Sequence, residues 1–127
     1  MEEREALVLH LKNSKLYSAT IELCKTCNWN CKYCYLENHS DKGLRFEALA
    51  DLLRRLRDAG CFEVVFTGGE IFTRKDTMEV IQYARRLGLT VYLMTNLSLV
   101  SHPMLDSLKA MNVEGIDCTL FSLNLIR

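Results

Sequence analysis

The stretch Val64-Val65-Phe66-Thr67-Gly68-Gly69-Glu70 decides how this chain is read. Val64 to Thr67 is a short apolar, β-branched run ending at paired glycines, which predicts a short, fully apolar strand. Helical patterns flank it on both sides. Upstream, Phe46 to Ala59 sets Leu49, Leu52, Leu53 and Leu56 on one apolar face. Arg54, Arg55, Arg57 and Asp58 fill the opposite, solvated face, and Gly60 suits the stop. Downstream, Asp76 to Leu87 turns Ile81, Ala84 and Leu87 inward and stops at Gly88. The same alternation extends both ways. Leu16 to Leu23 predicts an earlier strand, with a short one at Ala6 to Leu11 turning back through Asn13-Ser14-Lys15. Leu89 to Thr95 predicts the next strand after the second helix. Pro103 to Met111 then predicts a helix with Leu105, Leu108 and Met111 inward, Ser101 or His102 before it, and Pro103 in its first turn. Ile116 to Phe121 closes the series as a fourth strand. Strands alternating with helices imply parallel pairing, right-handed crossovers and an α/β fold, here one unit over residues 1–127.

Composition agrees with a soluble globular domain and excludes other classes. The chain has 127 residues, 49% hydrophobic and 25% charged, enough to bury a core without disulfide staples. Lys plus Arg and Asp plus Glu are both 16, so no net charge draws the chain to nucleic acid or an anionic membrane. The longest charge-free run, Leu87 to Leu105, is broken by Gly88, Asn96, Ser98 and Pro103 and does not read as a membrane span. The acidic start, Met1-Glu2-Glu3-Arg4-Glu5, lacks the basic character of a signal peptide. A cytoplasmic location is the expectation.

In parallel α/β sheets chemistry gathers at the C-terminal strand ends. Three unusual loops fall there: a cysteine cluster after the first strand, Gly68-Gly69-Glu70 after the second, and Thr95-Asn96 after the third. Six cysteines are too few for a disulfide scaffold in a chain this long, and in a reducing compartment the cluster Cys24, Cys27, Cys31 and Cys34 reads as a metal site. Four thiolates could close a zinc site or a complete iron–sulfur cluster. Yet zinc-ribbon cysteine pairs stand farther apart, and the ferredoxin spacing also differs. Alternatively, Cys27, Cys31 and Cys34 alone, as C-x3-C-x2-C, could hold three irons of a [4Fe–4S] cluster and leave the fourth open to a cosubstrate. Cys61 and Cys118 stand beside apolar segments and read as small buried residues. His10, His39 and His102 show no ligand spacing.

The stretch Cys27 to Tyr35, CNWNCKYCY, resembles the cluster motif of the radical S-adenosylmethionine (radical SAM) superfamily, with Tyr33 as its aromatic residue. Phe66 to Glu70, FTGGE, resembles the family's Gly-Gly-Glu motif, and Thr95-Asn96 its third-strand pair. Thr119-Leu120-Phe121-Ser122 is similar to the segment that meets the cofactor's ribose. The likeness covers about residues 16–122. It implies a partial TIM-type barrel with a parallel sheet. It also implies that Cys27, Cys31 and Cys34 ligate a [4Fe–4S] cluster whose open iron is chelated by S-adenosylmethionine. Reductive cleavage of that cosubstrate would yield a 5′-deoxyadenosyl radical, chemistry that belongs to the cofactor. Gly68 and Gly69 would let backbone approach the methionine moiety, and Glu70 would accept from its amino group. Tyr33 would pack near the adenine, with Asn96 and Thr119 as further cofactor contacts. Trp29 would shield the cluster and Tyr35 would pack. No side chain is singled out as catalytic. The implied electron donor is a reductant such as flavodoxin or ferredoxin.

The departures are as informative as the matches. Ile71 stands where the family often has Pro, and Cys24 where Thr is common; Cys24 reads as a bystander at the strand end. The family core has more strand–helix units than the four strands found here, so the chain reads as cut after its fourth strand. It is then expected to be a fragment, or half of a split enzyme complemented by a C-terminal half. The version FTGGEIFTRKD, Phe66 to Asp76, resembles that of peptide- and protein-modifying members, which implies a peptide substrate. The alternative is a non-catalytic iron–sulfur or zinc-binding fragment.

Overall fold

The computed structural model describes residues 16–25 and 43–118. Along them run β1 (Ser18–Cys24), α1 (Phe46–Asp58), β2 (Glu63–Gly68), a short 3-10 turn (Ile71–Thr73), α2 (Thr77–Arg86), β3 (Thr90–Met94), α3 (His102–Ala110) and β4 (Gly115–Asp117). The four strands form one sheet in the order β1-β2-β3-β4, every pair parallel. Sequential order with right-handed crossovers puts every helix on the same side of the sheet, which is the wall of a barrel.

The core lies between that side and the helices. Ile21 and Leu23 from β1, Val64 and Phe66 from β2, and Val91 and Leu93 from β3 pack with Leu49 and Leu53 of α1 and with Val80, Ile81 and Ala84 of α2. Leu52 and Leu56 flank this core as partly buried neighbours, so the heptad-like face of α1 is as its spacing predicts. The basic residues of α1 reach outward, and two of them pin α2: Arg54 donates to the Tyr83 hydroxyl at 2.8 Å, and Arg57 to the Leu87 carbonyl at 2.8 Å.

β2 forms where its apolar run predicts a strand, with Val64 and Phe66 wholly buried on one face and Glu63, Val65 and Thr67 half-buried on the other. The register places Thr20, Val65, Tyr92 and Gly115 in one row across that face. Several boundaries and exposures differ from expectation. α3 is capped by Ser101, whose hydroxyl accepts from the Met104 amide, and it begins at His102. Leu105, read as inward, is 40% exposed, because the narrow contact of this helix is filled by Leu108 with Met111 beside it. β4 starts at Gly115 and is assigned only to Asp117; residues 119–121 of the anticipated strand lie outside the described residues. Cys118, read as buried, is exposed, since it follows the last paired residue of the edge strand. Cys61 is buried as anticipated, its thiol donating to the Glu63 carbonyl at 3.1 Å, and burial pushes that thiol's pKa up. The expected strand at Ala6 to Leu11 lies outside the described residues.

Candidate functional site at the C-terminal rim of the sheet

The end of β1 is irregular in a way that aims the chain. Glu22 pairs with Thr67 and Cys24 with Gly68, so the ladder skips Leu23. A bulge of this kind breaks the in-out alternation. Leu23 and Cys24, though consecutive, are both buried. The Cys24 thiol points under the rim, donating to the Glu70 carbonyl at 3.5 Å and lying 3.8 Å from the Thr73 hydroxyl. That packing matches its reading as a small residue at the strand end.

Two glycines are required where the chain crosses this strand end. Gly68 has φ +146°, and a Cβ on it would stand 2.3 Å from the Cys24 carbonyl oxygen. The next amide, Gly69, donates to that same oxygen at 2.9 Å. Gly43 has φ +77°, and its Cβ would stand 2.0 Å from the Leu23 carbonyl oxygen. No L side chain fits either place. The close approach that demands Gly68 is therefore to the β1 backbone, a constraint within the fold. Because Lys25 leaves and Gly43 returns at this point, the segment bearing Cys27, Cys31 and Cys34 has both feet on the end of β1.

Glu70 ties the second loop to the third. Its side chain is wholly buried. The Thr95 hydroxyl lies 2.7 and 2.8 Å from the two carboxylate oxygens. The amide of Asn96 donates to Oε1 at 2.7 Å and that of Phe72 to Oε2 at 2.8 Å. A buried carboxylate is tolerable only with such charge-assisted bonds. The Asn96 side chain is occupied locally, its Oδ1 accepting from the Ser98 amide at 2.9 Å and the Ser98 hydroxyl at 2.7 Å. Gly68, Gly69, Glu70 and Asn96 thus meet at one rim.

Sequence reasoning passed over Arg74. Its side chain is only 7% exposed. Nε and Nη2 donate to the two oxygens of Asp76 at 2.8 and 2.9 Å, and this guanidinium holds the Asp76 carboxyl below the usual carboxylate range. Nη1 donates to the carbonyls of Leu23 at 2.9 Å and Leu44 at 2.6 Å. The signal was a basic residue four positions after the Gly-Gly-Glu motif, inside the stretch read only as a family variant. Thr77 is a second omission, buried beneath the turn with its hydroxyl donating to the Ile71 carbonyl.

Cys27, Cys31, Cys34, Tyr33 and Thr119 lie outside the described residues, as do Trp29, Tyr35, His10 and His39. Among the described residues no three His, Cys, Asp or Glu gather as a metal site, and no helix is long and apolar enough to cross a membrane. The surroundings still suit an iron–sulfur group. The donor set is soft thiolate, the choice for such clusters. Both feet of its segment also stand beside the glycine backbone at the rim.

A wall of parallel strand–helix units with its special loops along one rim defines a barrel-type α/β protein, a fold class in which sites lie at the strand C-termini. The family model described as the Radical SAM superfamily matches residues 21–125, and the chain belongs to that superfamily. The PqqA peptide cyclase of Xanthomonas euvesicatoria pv. vesicatoria (strain 85-10) is 32% identical over 111 residues, covering 81% of this chain and 28% of the relative. A probable GTP 3′,8-cyclase of Pyrococcus abyssi is 30% identical over 106 residues, covering 82% of this chain and 34% of that protein. Among solved structures, Streptococcus suis SuiB bound to precursor peptide SuiA has a TM-score of 0.68 at 20% identity, over 89% of this chain and 26% of that one. BtrN in complex with AdoMet and 2-DOIA has a TM-score of 0.66 at 18% identity, over 80% of this chain and 44% of that one. These structures share the fold. The chain spans about a third or less of the length of the curated relatives it matches, 28% and 34% for the two named.

Proposed function

We propose that Cys27, Cys31 and Cys34 hold a [4Fe–4S] cluster, and that the rim beside them binds S-adenosylmethionine for radical modification of a peptide or protein. Cys27, Cys31 and Cys34 would hold the cluster, which would supply one-electron reduction of the cosubstrate's sulfonium, releasing methionine and a 5′-deoxyadenosyl radical. This chain's residues bind and orient. The backbone of Gly68 and Gly69 lies against the methionine end, and Glu70 is the anion toward which its amino group is directed. Tyr33, Asn96 and Thr119 line the adenosyl side. An external reductant of the flavodoxin or ferredoxin kind delivers the electron.

The observation that carries the reading is the convergence at one rim of three loops: both feet of the cysteine segment on β1, Gly68-Gly69 against Cys24, and Glu70 bonded to Thr95 and Asn96. Membership of the radical SAM superfamily supports the cofactor pair. A peptide substrate is supported by the relatives named for peptide cyclisation and by the fold shared with SuiB, whose structure holds a precursor peptide. Anaerobic reconstitution followed by metal analysis tests it. About four irons and four sulfides per chain are expected, with a paramagnetic signal of the reduced protein that shifts when S-adenosylmethionine is added. One zinc per chain and no iron overturns the proposal in favour of a non-catalytic metal-binding module.

A further inference from the structure

We propose that Arg74 is the positioning residue of the cysteine segment, an assignment that rests on the cluster reading above. The guanidinium has two working edges. One edge grips both oxygens of Asp76. From the other, Nη1 donates to Leu23, the last residue but one of β1, and to Leu44, just before α1. The segment between those carbonyls carries every candidate cluster ligand. Its entry and its exit are therefore fastened to a single nitrogen.

Three features separate this from a chance surface contact. Leu23 is the residue that the β1–β2 register skips, and its carbonyl accepts from Arg74 at that irregularity. Gly43 crosses the same carbonyl so closely that no Cβ could fit, so the returning chain and the arginine converge on one oxygen. Finally, Asp76 stands at the N-cap of α2, a place where aspartate ordinarily bonds the helix amides, yet it makes no such bond. Its carboxylate is turned to the guanidinium, which fixes the plane of the fork. A lysine would keep the charge but could not hold both edges.

The test compares the wild-type chain with Arg74→Lys, Arg74→Ala and Asp76→Asn. In the metal-free proteins, amide hydrogen exchange at residues 23–25 and 43–45 should rise about tenfold in Arg74→Lys, the loss of one or two net hydrogen bonds. The amides of Phe66 and Leu93 in the core should not change. In the reconstituted proteins, release of iron to a chelator should quicken by a similar factor, and by less in Asp76→Asn. Added methylguanidinium should slow the release from Arg74→Ala, which a merely structural loss of packing would not permit. If Arg74→Lys fails to fold, Asp76→Asn carries the same comparison. Unchanged exchange at the two feet, with iron held as firmly as in the wild type, overturns the positioning role and leaves the cluster reading intact. A wild-type chain that takes up no iron overturns the cluster reading and with it this role, whatever the exchange shows.

Discussion

At the scale of single residues, chemistry and bracing are shared out among neighbours. Cys24 stands beside the ligand motif in the sequence, but the residue is 1% exposed and its thiol donates to the Glu70 carbonyl. Cys24→Ala should therefore leave most of the cluster in place and cost stability, about 1 kcal/mol for a small buried group with one weak bond. Cys27→Ala, Cys31→Ala and Cys34→Ala should each abolish the cluster, read as iron and sulfide per chain after reconstitution. Loss of the cluster from Cys24→Ala alone would replace the three-thiolate site with a four-thiolate one. The bracing by Glu70 and the binding role proposed for it can be separated. Glu70→Ala strips the partner from the Thr95 hydroxyl and from the amides of Phe72 and Asn96, so the rim should weaken as well as S-adenosylmethionine binding. One charged hydrogen bond to the cosubstrate is worth about 1.5–3 kcal/mol, roughly ten- to a hundredfold in affinity. Thr95→Val removes a brace but keeps the carboxylate. It should lower the denaturation midpoint while leaving the affinity closer to wild type than Glu70→Ala does. Equal affinities in calorimetric titration of Glu70→Ala and wild type would remove Glu70 from the binding site.

At the scale of elements, periodicity carried most of the fold. The leucines of α1, the apolar run of β2 and the stop glycines Gly60 and Gly88 each report a local rule, and local rules are legible without a partner. What escaped depended on distant neighbours. Leu105 follows the helical spacing of Leu108, but α3 meets the core along a narrow line, and only tertiary contact decides which of the two is covered. The candidate site was legible as motifs, Gly68-Gly69-Glu70 and Thr95-Asn96, but not as a network. Arg74 acts across 51 residues to Leu23 and across 30 to Leu44, with no spacing rule to announce it. Gly68 was read as freeing room for a ligand, and the strand junction supplies a further reason. Because its Cβ would strike the Cys24 carbonyl at φ +146°, Gly68→Ala must distort the β1–β2 join. A destabilisation of about 1–3 kcal/mol is expected from the strained backbone and the overpacking, measured by urea unfolding of the metal-free protein. A wild-type midpoint would mean that the junction relaxes freely.

At the scale of the whole molecule, a sheet built in strict sequence has one face armoured by helices and, among the described residues, edges at β1 and β4. Among the described residues β4 has a neighbour on its β3 side only. Its row of backbone groups runs beside apolar side chains that remain open, Met94 at 45% and Ile116 at 38% exposure. Parallel sheets are normally covered on both faces, because their strands are apolar and their ladders slightly weaker than antiparallel ones. An uncovered edge of this kind recruits another strand or another chain. A protein of these 127 residues should therefore self-associate as its concentration rises. Sedimentation velocity over a range of concentrations reads this directly, and Ile116→Lys should shift the distribution toward monomer by placing a charge on the edge. The substitution lies at the far end of the sheet from β1 and so away from the feet of the cysteine segment, and the Thr95 amide still has the backbone carbonyl of the neighbouring Asp117 to donate to. Iron uptake by Ile116→Lys should accordingly match the wild type. A wild-type chain that stays monomeric at every concentration would mean that the edge is closed from within the chain, and Ile116→Lys would then lower stability without changing assembly.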